Sequence, residues 1–150
     1  MVAIARADEK QLDEIAPLFD AYRQFYEQAP DLEMARRYLE ERLTNGDAIV
    51  FLARDDSGAA IGFTLLYPTF CSVSAARTFV LYDLFVHKKA RRRGVASQLL
   101  ETAQNYAKTQ GAAWIKLETA LTNIPGQTLY EKLGWERDNE FYTYHFQLGA

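Results

Sequence analysis

The spacing of apolar positions changes several times along the chain, and each change marks an element. VAIAR (2–6) alternates and predicts a first strand. Asp8 and Gln11 have capping-box spacing. Leu12, Ile15, Phe19, Tyr22 and Tyr26 then recur at helical spacing, with Pro17 inside the pattern predicting a kink. Ala29-Pro30-Asp31 is a break, and Asp31 can cap a second helix striped by Ala35, Tyr38, Leu39 and Leu43. Asn45-Gly46 ends it. AIVFLAR (48–54) and AIGFTLLYPTF (60–70) flank the turn DDSG and read as a hairpin, with Pro68 marking a strand end or an edge. RTFVLYDLFV (77–86) is a fourth strand. A helix over 94–110 turns Val95, Leu99, Leu100, Ala103, Tyr106 and Ala107 inward, and Gly111 closes it. AAWIKLETA (112–120) predicts a fifth strand, Pro125 to Leu133 a short helix closed by Gly134, and FYTYHFQL (141–148) a final strand.

The order β-α-α-β-β-β-α-β-α-β is mixed α/β. Its front half is antiparallel, and a parallel step joins strands four and five through a helix. No repeat, low-complexity segment or linker interrupts it, so residues 1–150 read as one domain.

Composition narrows the class. The chain is 49% hydrophobic and 25% charged, as ordinary globular proteins are. Its one cysteine, Cys71, excludes an internal disulfide and fits a reducing compartment. The start is charged within six residues, unlike a signal peptide. No apolar run reaches the ~18 residues that span a bilayer. The expected location is cytoplasmic, with no membrane partner. Two histidines and one cysteine, not clustered, predict no metal site.

Net charge is −3, from 17 basic and 20 acidic residues. HKKARRR (87–93) holds five of the 17 basic residues and no acid, so the rest of the chain carries −8. A nucleic-acid binder shows a broad basic face. A compact basic spot on an acidic protein instead predicts a small anion there and a cationic partner elsewhere.

That spot lies between a buried strand and a helix start, where free N–H groups and the helix dipole favour phosphate. Gly94 lets an anion approach the backbone, Ala96 is small, and Arg91, Arg92 and Arg93 add charge. No P-loop matches, and a dinucleotide fingerprint lacks its further glycines, since none follows Gly94 until Gly111. What remains is R-x-x-G-x-A: Arg91, Gly94 and Ala96.

With that triplet in place, DLFVHKKARRRGVASQLLETAQNYAK resembles the acyl-CoA-binding motif of the GCN5-related N-acetyltransferases (GNATs). ALTNIPGQTLYEKLGW (120–135) resembles that family's second motif, with Asn123 seven residues before Tyr130. The element order is similar over essentially the whole chain. A narrower resemblance, in YRQFYEQ (22–28), LLYPTFCSVS (65–74), LYDLFV (81–86) and LETA (117–120), is to the branch holding the Hpa2-type and diamine acetyltransferases.

The resemblance implies an acetyl-CoA-dependent N-acetyltransferase. Its acceptor would be the primary amine of a small cationic molecule, such as a polyamine or basic amino acid. A protein or peptide N-acetyltransferase and a non-catalytic acyl-CoA sensor are the alternatives. The diphosphate of CoA would sit on N–H groups of Arg92, Arg93, Gly94, Val95, Ala96 and Ser97. Its pantetheine arm would pair with the open strand edge at Leu84, Phe85 and Val86, where a backbone N–H polarises the thioester.

Tyr130 would be the general acid toward the thiolate, since a phenol, ordinarily of pKa about 10, can donate near neutral pH. Asn123 would bind the CoA arm or cap the following helix. Diamine acetyltransferases carry a glutamate where this chain has Tyr82, which leaves Asp83 and Glu118 as candidate bases. Glu27 and Asp31 can attract a cationic substrate, and Tyr22, Tyr26 and Tyr82 can line its site or pack in the core. His87 and His145 read as surface and sheet residues. The aromatic last strand can pair across a homodimer.

Overall fold

The computed structural model describes residues 2–149 and divides them into two compact units, one ending at Glu118 and one beginning at Thr119. The first unit is a five-stranded sheet with helices on both faces. Its elements are β1 (Ala3–Ala7), α1 (Leu12–Phe25), α2 (Leu32–Thr44), β2 (Ile49–Arg54), β3 (Ala60–Cys71), β4 (Ala76–Val86), α3 (Val95–Thr109) and β5 (Ile115–Lys116). The strands lie in sequence order, antiparallel from β1 to β4, with β4 and β5 parallel. The mixed α/β fold expected from the element order is the one observed.

Alternation along the strands sorts the core into two layers. Val50, Leu52, Phe63 and Leu65 meet Leu12, Ile15 and Phe19 of α1 and Ala35 and Leu39 of α2. On the other side Phe51 and Phe79 meet Tyr106 of α3, with ring centroids 5.5 and 5.6 Å apart. Both faces of β2 are therefore covered, which is why its centre reads as an unbroken apolar run.

The capping box forms as read, with Asp8 accepting from the Lys10 N–H and Gln11 accepting from the Asp8 N–H. A single 3-10 turn, Glu9–Gln11, precedes α1. Pro17 does not break α1, which runs unbroken from Leu12 to Phe25. The proline lies on the exposed side, where water can satisfy the carbonyl left without its N–H. Pro68 sits beyond Leu66, the last residue of β3 paired with β2, so it occupies a true edge position while β3 continues to Cys71.

The second unit carries α4 (Ile124–Lys132). Two strand expectations fail. β5 has two residues rather than nine, and 141–148 forms no strand. Among the described residues of the second unit the latter segment has no neighbouring strand to supply a ladder, and a lone alternating stretch does not hold itself extended. Phe141, Tyr142, Tyr144 and Phe146 are 79–91% exposed. Among the described residues no helix is long and apolar enough to cross a membrane.

Candidate active site

Three features of the first unit converge on β4. The first is a bulge. Leu65 faces Asp83 and Leu66 faces Leu81, so Tyr82 has no partner on β3. A bulge bends its strand and re-aims side chains. Here Tyr82 is 62% exposed while Asp83 beside it is 4% exposed. The Thr64 hydroxyl donates to the Asp83 carbonyl at 2.8 Å across the shift.

The second feature is a free strand edge. The ladder of β4 with β5 covers only Phe79–Ile115 and Val80–Lys116. Beyond Val80, among the described residues, this sheet places no strand beside residues 81–86 on that side. The backbone there can pair with an extended ligand. The same early ending corrects the placement of Glu118: it lies past β5, exposed, and not on a strand paired with β4.

The third feature is the turn after Val86. The His87 N–H donates to the Ile61 carbonyl at 2.7 Å, and His87 Nδ1 accepts from the Lys89 N–H, capping a single 3-10 turn over Lys88–Ala90. Arg92 at φ 67° and Gly94 at φ 74° are both left-handed, which gathers successive N–H groups toward one side. The first rung of α3 runs from the Gln98 N–H to the Gly94 carbonyl. The N–H groups of Val95, Ala96 and Ser97 precede it and have no intrahelical partner. A methyl group built on Gly94 would meet nothing within 4 Å. Its glycine is required by the backbone angle, and the space before it is open to a ligand.

The arginines divide. Arg91 donates from Nε to the Val86 carbonyl at 3.0 Å, and its guanidinium lies 5.9 and 5.8 Å from the Phe25 and Phe85 rings. It clamps the turn to β4. Arg92 and Arg93 are exposed, and Arg93 faces Asp55 across a cavity of about 210 Å³ that also touches Gln98.

Asp83 shares its face of β4 with Phe85, under α1. Burial pushes its carboxyl up to about 6, against a hydrogen bond with Tyr22 that lowers it. Beside Asp83 lie Tyr22 of α1 and Tyr67 of β3, with Tyr26, just past the end of α1, against Tyr22, and Tyr82 against Tyr67. The Tyr67 ring lies 5.4 Å from Tyr82, and its hydroxyl bonds the Tyr38 hydroxyl from α2. Burial, then the Asp83 charge, push the Tyr22 phenol up; burial and Tyr38 do so for Tyr67.

At the end of α1, Glu27 takes a left-handed φ of 65° and is exposed. Asp31 caps α2 by accepting from the Met34 N–H at 3.0 Å. Sequence reasoning missed Asp20. This buried carboxylate accepts from the Asp31 N–H at 2.9 Å and from Gln24 Nε2 at 3.1 Å, fixing the α1–α2 connection. Only its place on the apolar side of α1, one residue after Phe19, hinted at burial.

In the second unit Asn123 is the cap of α4. Its Oδ1 accepts from the Gly126 N–H at 3.2 Å, and its Nδ2 donates to Thr119 Oγ1 at 2.8 Å. The Trp135 N–H donates to the Tyr130 carbonyl and the Gly134 N–H to the Glu131 carbonyl, with Gly134 at φ 94°. That is a Schellman motif, and the Tyr130 and Trp135 rings make its apolar contact at 6.3 Å. The L-G-W ending of the second motif thus fixes the turn that carries Tyr130. No group of three His, Cys, Asp or Glu among the described residues is placed to hold a metal ion.

Comparison with known proteins shows the family. The family model described as "Acetyltransferase (GNAT) family" matches residues 14–135. The chain is 43% identical to the Bacillus subtilis (strain 168) protein named "Uncharacterized N-acetyltransferase YhfO", over 98% of each chain. A crystal structure of "a probable acetyltransferase" superposes with a TM-score of 0.94 at 36% identity, covering 99% of each chain. The fold is shared as well with an aminoglycoside N-acetyltransferase, AAC(6')-Iy, solved in complex with CoA: TM-score 0.81, 22% identity, 98% of this chain and 95% of that one. The chain belongs to the GNAT acetyltransferase family.

Proposed function

We propose that this acetyltransferase uses acetyl-CoA to acetylate the primary amine of a small cationic acceptor, such as a polyamine or a basic amino acid. The observation that carries this reading is Asp83, a buried carboxylate walled by tyrosines, on the strand whose free edge leads into the 87–97 turn. The family as a whole uses acetyl-CoA, and a structural neighbour was solved with CoA.

The residues present fit that co-substrate. The left-handed turn, the N–H groups of Val95, Ala96 and Ser97 and the open space before Gly94 suit a diphosphate. Arg92 and Arg93 add charge there, while Arg91 holds the turn. The free edge over Leu84, Phe85 and Val86 suits an amide-bearing arm. When bound, acetyl-CoA supplies the activated acetyl group that the amine attacks.

Asp83 takes the amine's proton. At about 6 its carboxyl stays mostly ionised at pH 7, yet is a better proton acceptor than an exposed aspartate. Glu118, exposed beyond β5, lacks this environment. Tyr26 and Tyr82, both exposed, offer ring faces to an alkylammonium group, while Tyr22 and Tyr67 pack on the core beneath them, and exposed Glu27 adds field toward it. Asp31 acts by capping α2 and so shapes the connection that carries Glu27. Tyr130 is assigned as proton donor to the leaving thiolate on the family's motif, and Asn123 positions its helix.

The Hpa2-type and diamine acetyltransferase branch fits a cationic acceptor, and the neighbour's aminoglycoside is also a polyamine. A peptide acceptor is the second reading, favoured by the exposure of Phe25, Tyr26 and Tyr82 around the site. We place the enzyme in the cytoplasm as a homodimer, the exposed aromatics of 141–148 supporting self-association, and without nucleic-acid or membrane partners.

Micromolar acetyl-CoA should raise the melting temperature by several degrees, since saturation a hundredfold above Kd stabilises by about 2.7 kcal/mol. Stabilisation by DNA or RNA with none by acetyl-CoA would refute the assignment.

A further inference from the structure

Tyr22 is placed to serve Asp83 rather than the ligand. Its hydroxyl oxygen lies 3.2 Å from the carbonyl oxygen of Tyr82, the peptide that leads into Asp83, and within hydrogen-bond reach of the Asp83 carboxylate. Its ring is held by Tyr26, Phe63 and Phe85, with centroids 5.1, 6.0 and 6.3 Å away, so the hydroxyl is held within reach of both acceptors, with the Tyr26 side chain as a third neighbour. A phenol has one hydrogen to donate and lone pairs to accept with. Either protonation state of Asp83 can therefore be satisfied without moving a heavy atom.

We propose that Tyr22 is the positioning residue for the base, its hydroxyl hydrogen turning from the Asp83 carboxylate to the Tyr82 carbonyl when Asp83 takes the substrate's proton. The proposal rests on Asp83 being that base. Before transfer the Tyr22 O–H donates to the carboxylate. As an N–H bond of the acceptor breaks, the nitrogen keeps the electron pair and an O–H bond forms on Asp83. The new acid donates to the Tyr22 oxygen, whose own hydrogen turns to the Tyr82 carbonyl. Tyr22 keeps its proton throughout. Asp83 later releases the transferred proton to water, so the cycle yields one proton per acetylated ammonium.

The groups around Asp83 leave this assignment uncontested. From α1 comes Tyr22, and from its C-cap Tyr26. From β3 comes Tyr67, backed from α2 by Tyr38 and by Arg42, which lies 5.1 Å from the Tyr38 ring. Tyr82 of β4 leans on Tyr67. Burial keeps Tyr22 and Tyr67 neutral in the working range, and Asp83 is the member of this set that burial brings to about 6.

The test compares kcat/KM against pH for wild type, Y22F and D83N, with a 13C-carboxyl NMR titration of Asp83 in folded wild type and Y22F. Y22F keeps the ring and loses only the hydroxyl. Without that donor the carboxylate is less stable, so the acid limb and the NMR titration should both move up by roughly one pH unit, with the KM for acetyl-CoA unchanged. An Asp83 titration that does not move in folded Y22F overturns the proposal. If instead the titration moves while D83N keeps the wild-type acid limb, Asp83 is not the base; the positioning role in catalysis falls with it, and the cause of failure is identified.

Discussion

At the scale of single residues, the site is built at a cost to stability. The ordinary pKa of an aspartate is 3.8, and burial raises that of Asp83 to about 6 in the folded protein. A raised folded value means that the native state binds the proton more tightly than the unfolded chain. Its contribution is fully present below about pH 4 and is lost as pH rises through 6, so ionised Asp83 destabilises the fold at pH 7–8. Asp83→Asn should then be more stable than wild type at pH 8, by up to roughly 3 kcal/mol, with the difference closing near pH 4. Urea unfolding at both values checks this, and a destabilised variant at pH 8 would contradict it. On the proposed donor side the matching residue is Gly94. Gly94→Ala should cost about 1–2 kcal/mol in the left-handed conformation, and Gly94→Glu should abolish acetyl-CoA binding by calorimetry while the variant stays folded. Gly94 was legible because its spacing from Arg91 and Ala96 is local. Asp20 and the hydroxyl contact of Tyr22 were not, because their partners lie 11 and 60 residues away.

At the scale of elements, local rules read well wherever the chain supplies its own partner. The Asp8–Gln11 box and the Asp31 cap need only neighbours within a few residues, and β2 with β3 and β3 with β4 pair across single turns. α4 is the clearest case, because Asn123 caps its start and Gly134 with Trp135 closes its end. Gly134→Ala, forced to hold φ 94°, should lower stability by about 1–2 kcal/mol and reduce turnover more than acetyl-CoA affinity, since the turn that fixes Tyr130 loosens. Thermal unfolding and steady-state kinetics separate these effects. Tyr130→Phe, which leaves that turn intact, should also lower turnover with acetyl-CoA affinity unchanged; an unaltered rate across pH 7–9 would remove Tyr130 from the mechanism. Alternation failed as a guide at 112–120 and 141–148. A strand exists only with a ladder partner, and periodicity states which face would be buried without stating that a neighbour is there. The bulge at Tyr82 was hidden for the same reason. It is a register shift between two strands, and neither strand's own pattern records it.

At the scale of the whole molecule, the basic run 87–93 changes meaning once it is placed. Arg91 is used internally, His87 caps a turn, and Arg93 faces Asp55, so the run is a shaped turn rather than a broad cationic surface. The remaining −8 of the chain is compatible with drawing in a cationic acceptor. Raised salt should therefore increase the KM of a polyamine more than that of a monoamine, which initial rates at two ionic strengths would show. The central claim is that acetyl-CoA and a small cationic amine meet at β4. Its most direct test is release of CoA thiol from acetyl-CoA with a panel of acceptors: polyamines, lysine-like amino acids, aminoglycosides and basic peptides. The account predicts amine-dependent release well above the acceptor-free rate for at least one small cationic acceptor, lost in Asp83→Asn. Release no faster than the acceptor-free rate across the panel would contradict it.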